Sequence, residues 1–314
     1  MKFFLILLLG TGFLLQGNDT LKENTIIDRK TGERFRESVM GDKALRFAYE
    51  TLLGRSLWGI LFNSSFLSDL MGKYYDSPAS CKKIASLTAI PGCNAAEAEF
   101  PTGHYSSFND FFARKLKAGS RPSDPAEDIL SSPADGRLLV YSGLKATDPI
   151  PVKGAKKSLN DLCCEDLGAG SFAVAVVRLA PVDYHRFHFP CDCIQAKPPM
   201  TVRGKYHSVN PIALAKRPDL YVENTRQITE LSSKIFGSFR YLEVGAFGVG
   251  SIIQTSSEGE HRKADEKGFF KFGGSTVILI FDAAKLQWDA DLLKNSADGV
   301  ETLIRCGETI GRSR

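Results

Sequence analysis

The strongest constraint on the fold is a series of short β-rich runs that fills the chain beyond Pro122. Each run is rich in β-branched or aromatic residues and is bounded by Gly, Pro or Asp, a pattern typical of β-strands. One further stretch, Asn224–Ile235, fits a helix or a strand equally well. The sequence therefore predicts a β-rich body. The runs are Arg137–Tyr141, Phe172–Leu179, Phe239–Val244, Ser251–Thr255 and Thr276–Phe281.

Helical patterns come before the strands. Between Lys43 and Tyr75 apolar residues recur at spacings of three and four, which indicates one face of a helix, with a break at Asn63–Ser65. Asp76–Ser107 is rich in Ser, Pro, Ala and Gly and predicts a long surface loop with one short helix. Phe108–Leu116 predicts another short helix. Helices first and strands afterwards indicate the α+β class, with N-terminal amphipathic helices.

The chain begins with an apolar segment. Lys2 precedes Phe3–Leu15, thirteen residues without a charge. A membrane-spanning helix needs about 20 apolar residues, so this segment fits a signal peptide or a short retained anchor. No A-x-A cleavage motif follows, which leaves both interpretations open. The predicted organisation is residues 1–17 as signal or anchor, 18–107 as a helical and loop region, and 108–314 as the core.

Composition limits the partners. The 314 residues are 43% hydrophobic and 24% charged, with a net charge of +4, as in an ordinary globular protein. This excess of positive charge does not indicate nucleic-acid binding, which needs a dense basic stripe. Short basic clusters would suit an anionic membrane surface. The seven cysteines are an odd number in a long chain, so they do not predict a disulfide scaffold.

Three short segments carry side chains that could perform chemistry. Asp135 lies in a turn between Pro133 and Gly136, and His185 and His188 lie between two prolines. Ser275 follows two glycines at the start of a buried run. In chain order they supply a carboxylate, a base and a hydroxyl nucleophile. The same trio would suit a serine hydrolase, although the G-x-S-x-G motif of one large hydrolase class is absent.

A zinc site is the alternative use of the two histidines. His185, His188, Cys191 and Cys193 offer nitrogen and sulfur ligands within nine residues. The two cysteines lack the usual two-residue gap between paired zinc ligands. The sequence therefore predicts no metal.

Six motifs in order resemble the phosphatidylserine decarboxylases, which are pyruvoyl-dependent enzymes made as self-processing proenzymes. The Gly-Ser cleavage point of that family aligns with Gly274–Ser275, here in the Gly-Gly-Ser-Thr variant. Asn224-Thr225-Arg226 departs from the Asn-Glu-Arg that is common in the family. The resemblance implies a barrel-sandwich-like β core. The motifs are Phe108–Pro122, Ser132–Gly136, Asp183–Pro190, Ser208–Pro211, Val244–Ile252 and Lys267–Ile278.

The resemblance also implies roles for the candidate residues. Ser275 would attack the carbonyl of Gly274, with His188 as the base and Asp135 orienting it. Cleavage would leave a β chain that ends at Gly274 and an α chain that begins with a pyruvoyl group derived from Ser275. This cofactor would form a Schiff base with the substrate, and His185 would assist decarboxylation.

The implied partner is phosphatidylserine in a membrane surface, converted to phosphatidylethanolamine and CO2. The two chains would form a non-covalent α/β pair, a homodimer is a family expectation, and no nucleic acid is involved. We expect a membrane-associated protein at a secretory, endomembrane or bacterial cell-membrane location. A lipid-acting serine hydrolase and a non-catalytic membrane lipid-binding relative are the alternatives.

Overall fold

β-Strands dominate the computed structural model of the chain, which describes residues 25–37, 65–150, 152, 155–205, 207, 211–245, 252–273 and 275–314. The strands are β1 Thr25–Asp28, β2 Arg34–Arg36, β3 Ile129–Ser131, β4 Gly136–Lys145, β5 Ser171–Leu179, β6 Arg186–His188, β7 Cys193–Gln195, β8 Met200–Val202, β9 Arg226–Ser233, β10 Gly237–Gly245, β11 Ile252–Gln254, β12 Gly259–His261, β13 Glu266–Phe270, β14 Ser275–Asp282, β15 Leu286–Trp288, β16 Glu301–Ile304 and β17 Thr309–Ser313. The helices are α1 Ser65–Tyr75, α2 Lys82–Thr88, α3 Phe108–Phe112, α4 Leu159–Cys163, α5 Pro211–Lys216, α6 Leu220–Glu223 and α7 Ala290–Ala297.

Within the part of the chain that the structure describes, the strands form one large sheet and two small ones. The large sheet has eleven strands in the order β12-β7-β9-β10-β14-β5-β4-β16-β1-β2, with β8 beside β9. The small sheets are β11-β13-β6 and β15-β17-β3. Over the residues that the structure describes, the large sheet is open and is not a closed barrel. The α+β prediction is confirmed, with large sheets in a sandwich-like arrangement.

Strand β14 lies inside the large sheet, between β10 and β5. Its residues from Ser275 to Phe281 are all buried. Side chains of a strand alternate between the two faces of a sheet. Val277 and Leu279 accordingly join one hydrophobic cluster, while Ile278 and Ile280 join another on the opposite face. The predicted buried strand is confirmed.

A third hydrophobic cluster joins the helices to the sheet. Phe108 and Phe112 of α3 pack with Ala180 and Val182, which follow β5. The Ser107 side chain accepts a hydrogen bond from the amide of Asp110 and so caps the start of α3. This packing places α3 against the turn that leads into β6.

Several sequence predictions are confirmed and two need correction. The β-rich runs form strands, Asn224–Ile235 contains β9, and α1 agrees with the predicted helix, of which residues 43–64 lie outside the described residues. The helix predicted over Phe108–Leu116 ends at Phe112, because Leu116 instead forms a β-bridge with Ala98.

The surface loop predicted for Asp76–Ser107 is wrong in part. Its α2 agrees with the one short helix that the sequence predicts, but the stretch also contains three single turns of 3₁₀-helix, which are Pro78–Ser80, Ala95–Glu97 and Thr102–His104. Ile84, Leu87 and Tyr105 from this stretch are buried in the third hydrophobic cluster. Single turns of 3₁₀-helix carry too few residues to show a periodic pattern, which is why the sequence did not reveal these three.

The N-terminal region contributes directly to the large sheet. β1 pairs with β16 in parallel, and β2 pairs with β1. Residues 1–17, for which a signal or an anchor is predicted, lie outside the described residues. In the described part of the chain, no helix is long and apolar enough to cross a bilayer.

Candidate active site

Ser275 is the first residue of β14 and is held on both sides by the sheet. It pairs with Gly245 of β10 and with Leu179 of β5. Its side chain is fully buried, and its hydroxyl has no hydrogen-bond partner among the residues that the structure describes. Buried polar atoms are nearly always satisfied, so such an exception calls for an explanation. The backbone of Ser275 is therefore held by both neighbouring strands, while its side-chain hydroxyl makes no hydrogen bond to a described residue. Gly274 lies outside the described residues.

Asp135 lies in a tight turn directly before β4. A Cβ atom on the next residue, Gly136, would come within 2.7 Å of the carbonyl oxygen of Arg178, so only glycine fits there. The carboxylate of Asp135 forms a two-point ion pair with Arg121, at 2.8 and 2.6 Å, and accepts a 2.8 Å hydrogen bond from the Cys306 amide. Burial raises the pKa of Asp135, and Arg121 opposes that rise.

His188 ends strand β6, and both of its ring nitrogens are occupied. Nδ1 lies 3.0 Å from the carbonyl oxygen of Ala264, which can only accept, so Nδ1 carries the proton. Nε2 therefore accepts a hydrogen bond from the hydroxyl of Tyr184, at 3.1 Å. Burial lowers the pKa of His188 below its usual value, so the imidazole is neutral at neutral pH. Its basic nitrogen is the one that faces Tyr184.

No hydrogen bond joins Asp135 to His188 in the part of the chain that the structure describes. Arg121 occupies the carboxylate, and Tyr184 occupies the imidazole. The Arg121 guanidinium lies 5.9 Å from the centre of the Tyr184 ring, so the two pairs are neighbours. The negative charge of Asp135 still raises the pKa of His188. The two residues belong to one cluster, and their predicted roles stay predictions.

His185 has a different environment from His188. It is fully buried, its ring packs on Phe112 with centroids 3.8 Å apart, and Nδ1 donates to the Asp183 carbonyl oxygen at 3.0 Å. Nε2 has no hydrogen-bond partner among the described residues. Burial lowers the pKa of His185 to about 3, so this histidine is neutral and presents a free lone pair.

The histidines and cysteines of the described residues form neither a metal-binding cluster nor a disulfide. There, no group of three or more His, Cys, Asp or Glu side chains is arranged to hold a metal ion. All seven cysteines are free thiols. Burial raises the pKa of Cys191 to about 12, so this thiol stays protonated.

Three residues of this region escaped the sequence predictions. Arg121 and Tyr184 bind the predicted Asp135 and His188, and both lie inside motifs that the resemblance identified. Asn224 is fully buried, and its amide group donates to the carbonyl oxygen of Gly245 at 2.9 Å, next to Ser275 in the sheet. A buried asparagine beside a strand start could have been suspected from the retained Asn of Asn224-Thr225-Arg226 alone.

Comparison with known proteins decides the family. The family model described as phosphatidylserine decarboxylase matches residues 108–312. The chain belongs to the phosphatidylserine decarboxylase family. The expectation of an enzyme of this type is confirmed. Because the match begins at residue 108 and ends at residue 312, every candidate residue named above lies within the phosphatidylserine decarboxylase region.

The similarity extends over nearly the whole chain. A phosphatidylserine decarboxylase proenzyme of Chlamydia caviae is 40% identical over 299 residues, which is 93% of this chain and 99% of that protein. The proenzyme of Clostridium novyi is 43% identical over 88% of this chain and 94% of its own length. That of Fusobacterium nucleatum is 38% identical over 92% of this chain and 97% of its own length. These phosphatidylserine decarboxylases are all named as proenzymes.

Proposed function

We propose that this chain is a proenzyme that cleaves itself between Gly274 and Ser275, and that the product decarboxylates phosphatidylserine to phosphatidylethanolamine and CO2. The observation that carries the proposal is the fully buried hydroxyl of Ser275, which has no hydrogen-bond partner among the described residues. A nucleophile that is fixed in position and free of competing hydrogen bonds reacts with little loss of entropy. The proenzyme names of the relatives support the same conclusion.

The cleavage would proceed in balanced steps. The Ser275 oxygen attacks the Gly274 carbonyl carbon, the peptide C–N bond breaks, and an ester forms while the nitrogen of residue 275 becomes a free amine. Residue 275 then loses its α-proton, and the bond between its Cβ atom and the ester oxygen breaks. Gly274 leaves as a carboxylate, and residue 275 becomes dehydroalanine. Water releases ammonia from this residue and leaves a pyruvoyl group at the head of the α chain.

His188 would take the proton of Ser275 at Nε2. That nitrogen carries a lone pair because Nδ1 donates to the Ala264 carbonyl oxygen. Tyr184 donates a hydrogen bond to the same nitrogen, so its hydroxyl would have to move away or stay bonded beside the incoming proton. Asp135 would act through its charge, because Arg121 already binds both of its oxygens.

The cofactor that would form at residue 275 needs a group that moves protons, and His185 is the candidate. The pyruvoyl group would supply a carbonyl that can accept electrons during decarboxylation. His185 would move a proton at Nε2, which is buried and has no hydrogen-bond partner among the described residues. The burial of that nitrogen keeps water away from it.

Location and assembly belong to the same proposal. The enzyme would work at a membrane surface, with the N-terminal apolar segment as signal or anchor, at a secretory, endomembrane or bacterial cell membrane. The β chain to Gly274 and the α chain from residue 275 would remain together without a covalent bond, and two such pairs would form a homodimer.

The decisive experiment is a denaturing gel with intact mass of the purified protein. We expect two fragments, with the smaller one blocked to Edman sequencing. Ser275→Ala and His188→Ala should stay uncut, while Ser238→Ala, a change at an exposed serine of β10, should cleave normally. An unbroken chain that hydrolyses esters would indicate a serine hydrolase, and an unbroken inert chain would indicate a lipid-binding relative.

A further inference from the structure

Lys271 and Phe272, which precede the two glycines of the proposed cleavage site, are bound by α3 and by Asp76, the residue that follows α1. The backbone amide of Phe272 donates to Oδ1 of Asn109 in α3, at 2.8 Å. Nδ2 of the same Asn109 donates to Asp76 at 2.9 Å, and Asp76 forms a 2.8 Å ion pair with Lys271. These contacts form a closed loop that joins residues 271 and 272 to two distant segments of the chain.

The Phe272 ring also contacts three other aromatic rings. Its centroid lies 4.7 Å from that of Tyr75, 5.0 Å from that of Phe108 and 5.3 Å from that of Phe112. Two of these contacts are edge-to-face, the geometry that aromatic pairs prefer. The position of Phe272 is thus fixed by a backbone hydrogen bond and by three rings.

Asn109 is the specific element of this arrangement. It is 3% exposed, and its side-chain oxygen and nitrogen are both used, one on Phe272 and one on Asp76. An apolar residue in its place would fill the same volume but would leave the amide of Phe272 without this partner. The Asp76–Lys271 pair is more exposed and contributes less.

Only two glycines separate this arrangement from the sheet. Gly273 has a φ of 155°, which residues with a side chain rarely adopt. Ser275 on the other side is paired with both neighbouring strands. The chain is therefore held at Phe272, two residues before Gly274, and at Ser275, the residue after it.

We propose that Asn109, Phe272, Asp76 and Lys271 form an upstream clamp that presents the Gly274 carbonyl to Ser275, with Asn109 as a positioning residue for self-cleavage. The inference rests on the proposed function, since it assigns the clamp to the cleavage step. Holding both sides of a reacting bond keeps the nucleophile and the carbonyl close enough to react, and a misplacement of about 1 Å costs about a hundredfold in rate.

The test is a time course of cleavage after synthesis or refolding. We expect Asn109→Ala to slow cleavage by about tenfold or more, while decarboxylation per cleaved molecule stays near that of the unchanged protein. Asn295→Ala is the matched control, because Asn295 donates to Thr302 at 3.0 Å outside the clamp. Cleavage of Asn109→Ala at the normal rate would overturn the clamp.

Exchanging the donor and the acceptor of the Asn109–Asp76 hydrogen bond distinguishes a positioning role of Asn109 from a general loss of folding. Asn109→Asp places a carboxylate beside Asp76 and should cleave slowly. Adding Asp76→Asn restores an amide that can donate to residue 109, so the double variant should cleave faster than Asn109→Asp alone. If the double variant cleaved no faster than Asn109→Asp while both had the same midpoint of thermal unfolding, the proposal would be contradicted. If the unchanged chain never cleaves, the proposed function itself fails.

Discussion

Two histidines three residues apart in one motif have opposite surroundings. His185 is fully buried, its ring packs on Phe112, and its Nε2 has no hydrogen-bond partner among the described residues, whereas the Nε2 of His188 accepts a hydrogen bond from Tyr184. Burial is the largest influence on the pKa of both, and it lowers both. The difference between them is therefore one of hydrogen bonding: Tyr184 partners Nε2 of His188, whereas Nε2 of His185 has no hydrogen-bond partner among the described residues.

We predict that Tyr184→Phe shifts the pH dependence of self-cleavage. The Tyr184 hydroxyl donates to neutral His188, which disfavours protonation, so its removal raises the pKa of His188. A base must be neutral, so the cleavage rate falls as pH drops through that pKa. The acid limb should move to higher pH by roughly 0.7 units, the equivalent of about 1 kcal/mol for one hydrogen bond.

The measurement is the rate of fragment formation between pH 4 and pH 8, starting from protein refolded at each pH. Tyr105→Phe is the control, since Tyr105 is a buried tyrosine that packs against Phe111. If Tyr184→Phe and the unchanged protein showed the same acid limb, the hydrogen bond to Nε2 would have no part in setting the base.

The sequence located these side chains but not their partners. Asp135, His188 and Ser275 could be selected because few residue types serve as orienter, base and nucleophile. The ion pair of Asp135 with Arg121 joins residues fourteen apart, and the contact of His188 with Ala264 joins residues seventy-six apart. Such pairings depend on the tertiary fold, and no local pattern in the sequence records them.

At the scale of elements, a buried ion pair connects the small sheet that carries His188 to the large sheet that carries Ser275. Lys267 of β13 contacts Glu243 of β10 at 2.6 Å, and both side chains are fully buried. The Lys267 ammonium also donates to Thr229 of β9 and Gln254 of β11, at 3.0 and 2.9 Å. Four strands from two sheets therefore meet at one cation.

We predict that Lys267→Met lowers the free energy of unfolding by about 3–5 kcal/mol, because it leaves the Glu243 carboxylate buried without its partner. Adding Glu243→Leu removes that unpaired charge, so the double variant should be more stable than Lys267→Met alone. The measurement is urea denaturation in the uncut Ser275→Ala background. A double variant less stable than either single variant would show that the pair contributes specific contacts beyond its charges.

Elements with a strong local pattern were predictable, and elements defined by their neighbours were not. The run Thr276–Phe281 is apolar throughout and became β14, which is buried on both faces. Strand β2 is polar, three residues long and at the edge of the sheet, and α3 is only five residues long. The sequence shows neither the register of β1 beside β16 nor the end of α3 at Phe112, because tertiary contacts set both.

At the scale of the whole molecule, the bond after Gly274 divides the chain unevenly but does not divide the fold. The part from Ser275 onward supplies β14 to the large sheet, between β10 and β5, and β15 and β17 to a small sheet. β16 pairs with β4 and β1 on the far side of β5. The short chain would therefore contribute strands to two of the three sheets that the described residues form. It could not dissociate without disrupting both sheets.

We predict that the two chains stay together after cleavage until the fold is lost. Removing β14 would expose Val277, Leu279 and Phe281, which are fully buried, at about 1.5–3 kcal/mol each, and would break the pairing on both sides. Size-exclusion chromatography of cleaved protein should give one peak that contains both chains, at the elution volume of uncut Ser275→Ala. In a urea series, the chains should separate only at concentrations that also abolish the far-UV circular dichroism of the sheets. Release of the small chain while that signal is intact would mean that its strands are not integral to the folded protein, and the non-covalent pair would be excluded.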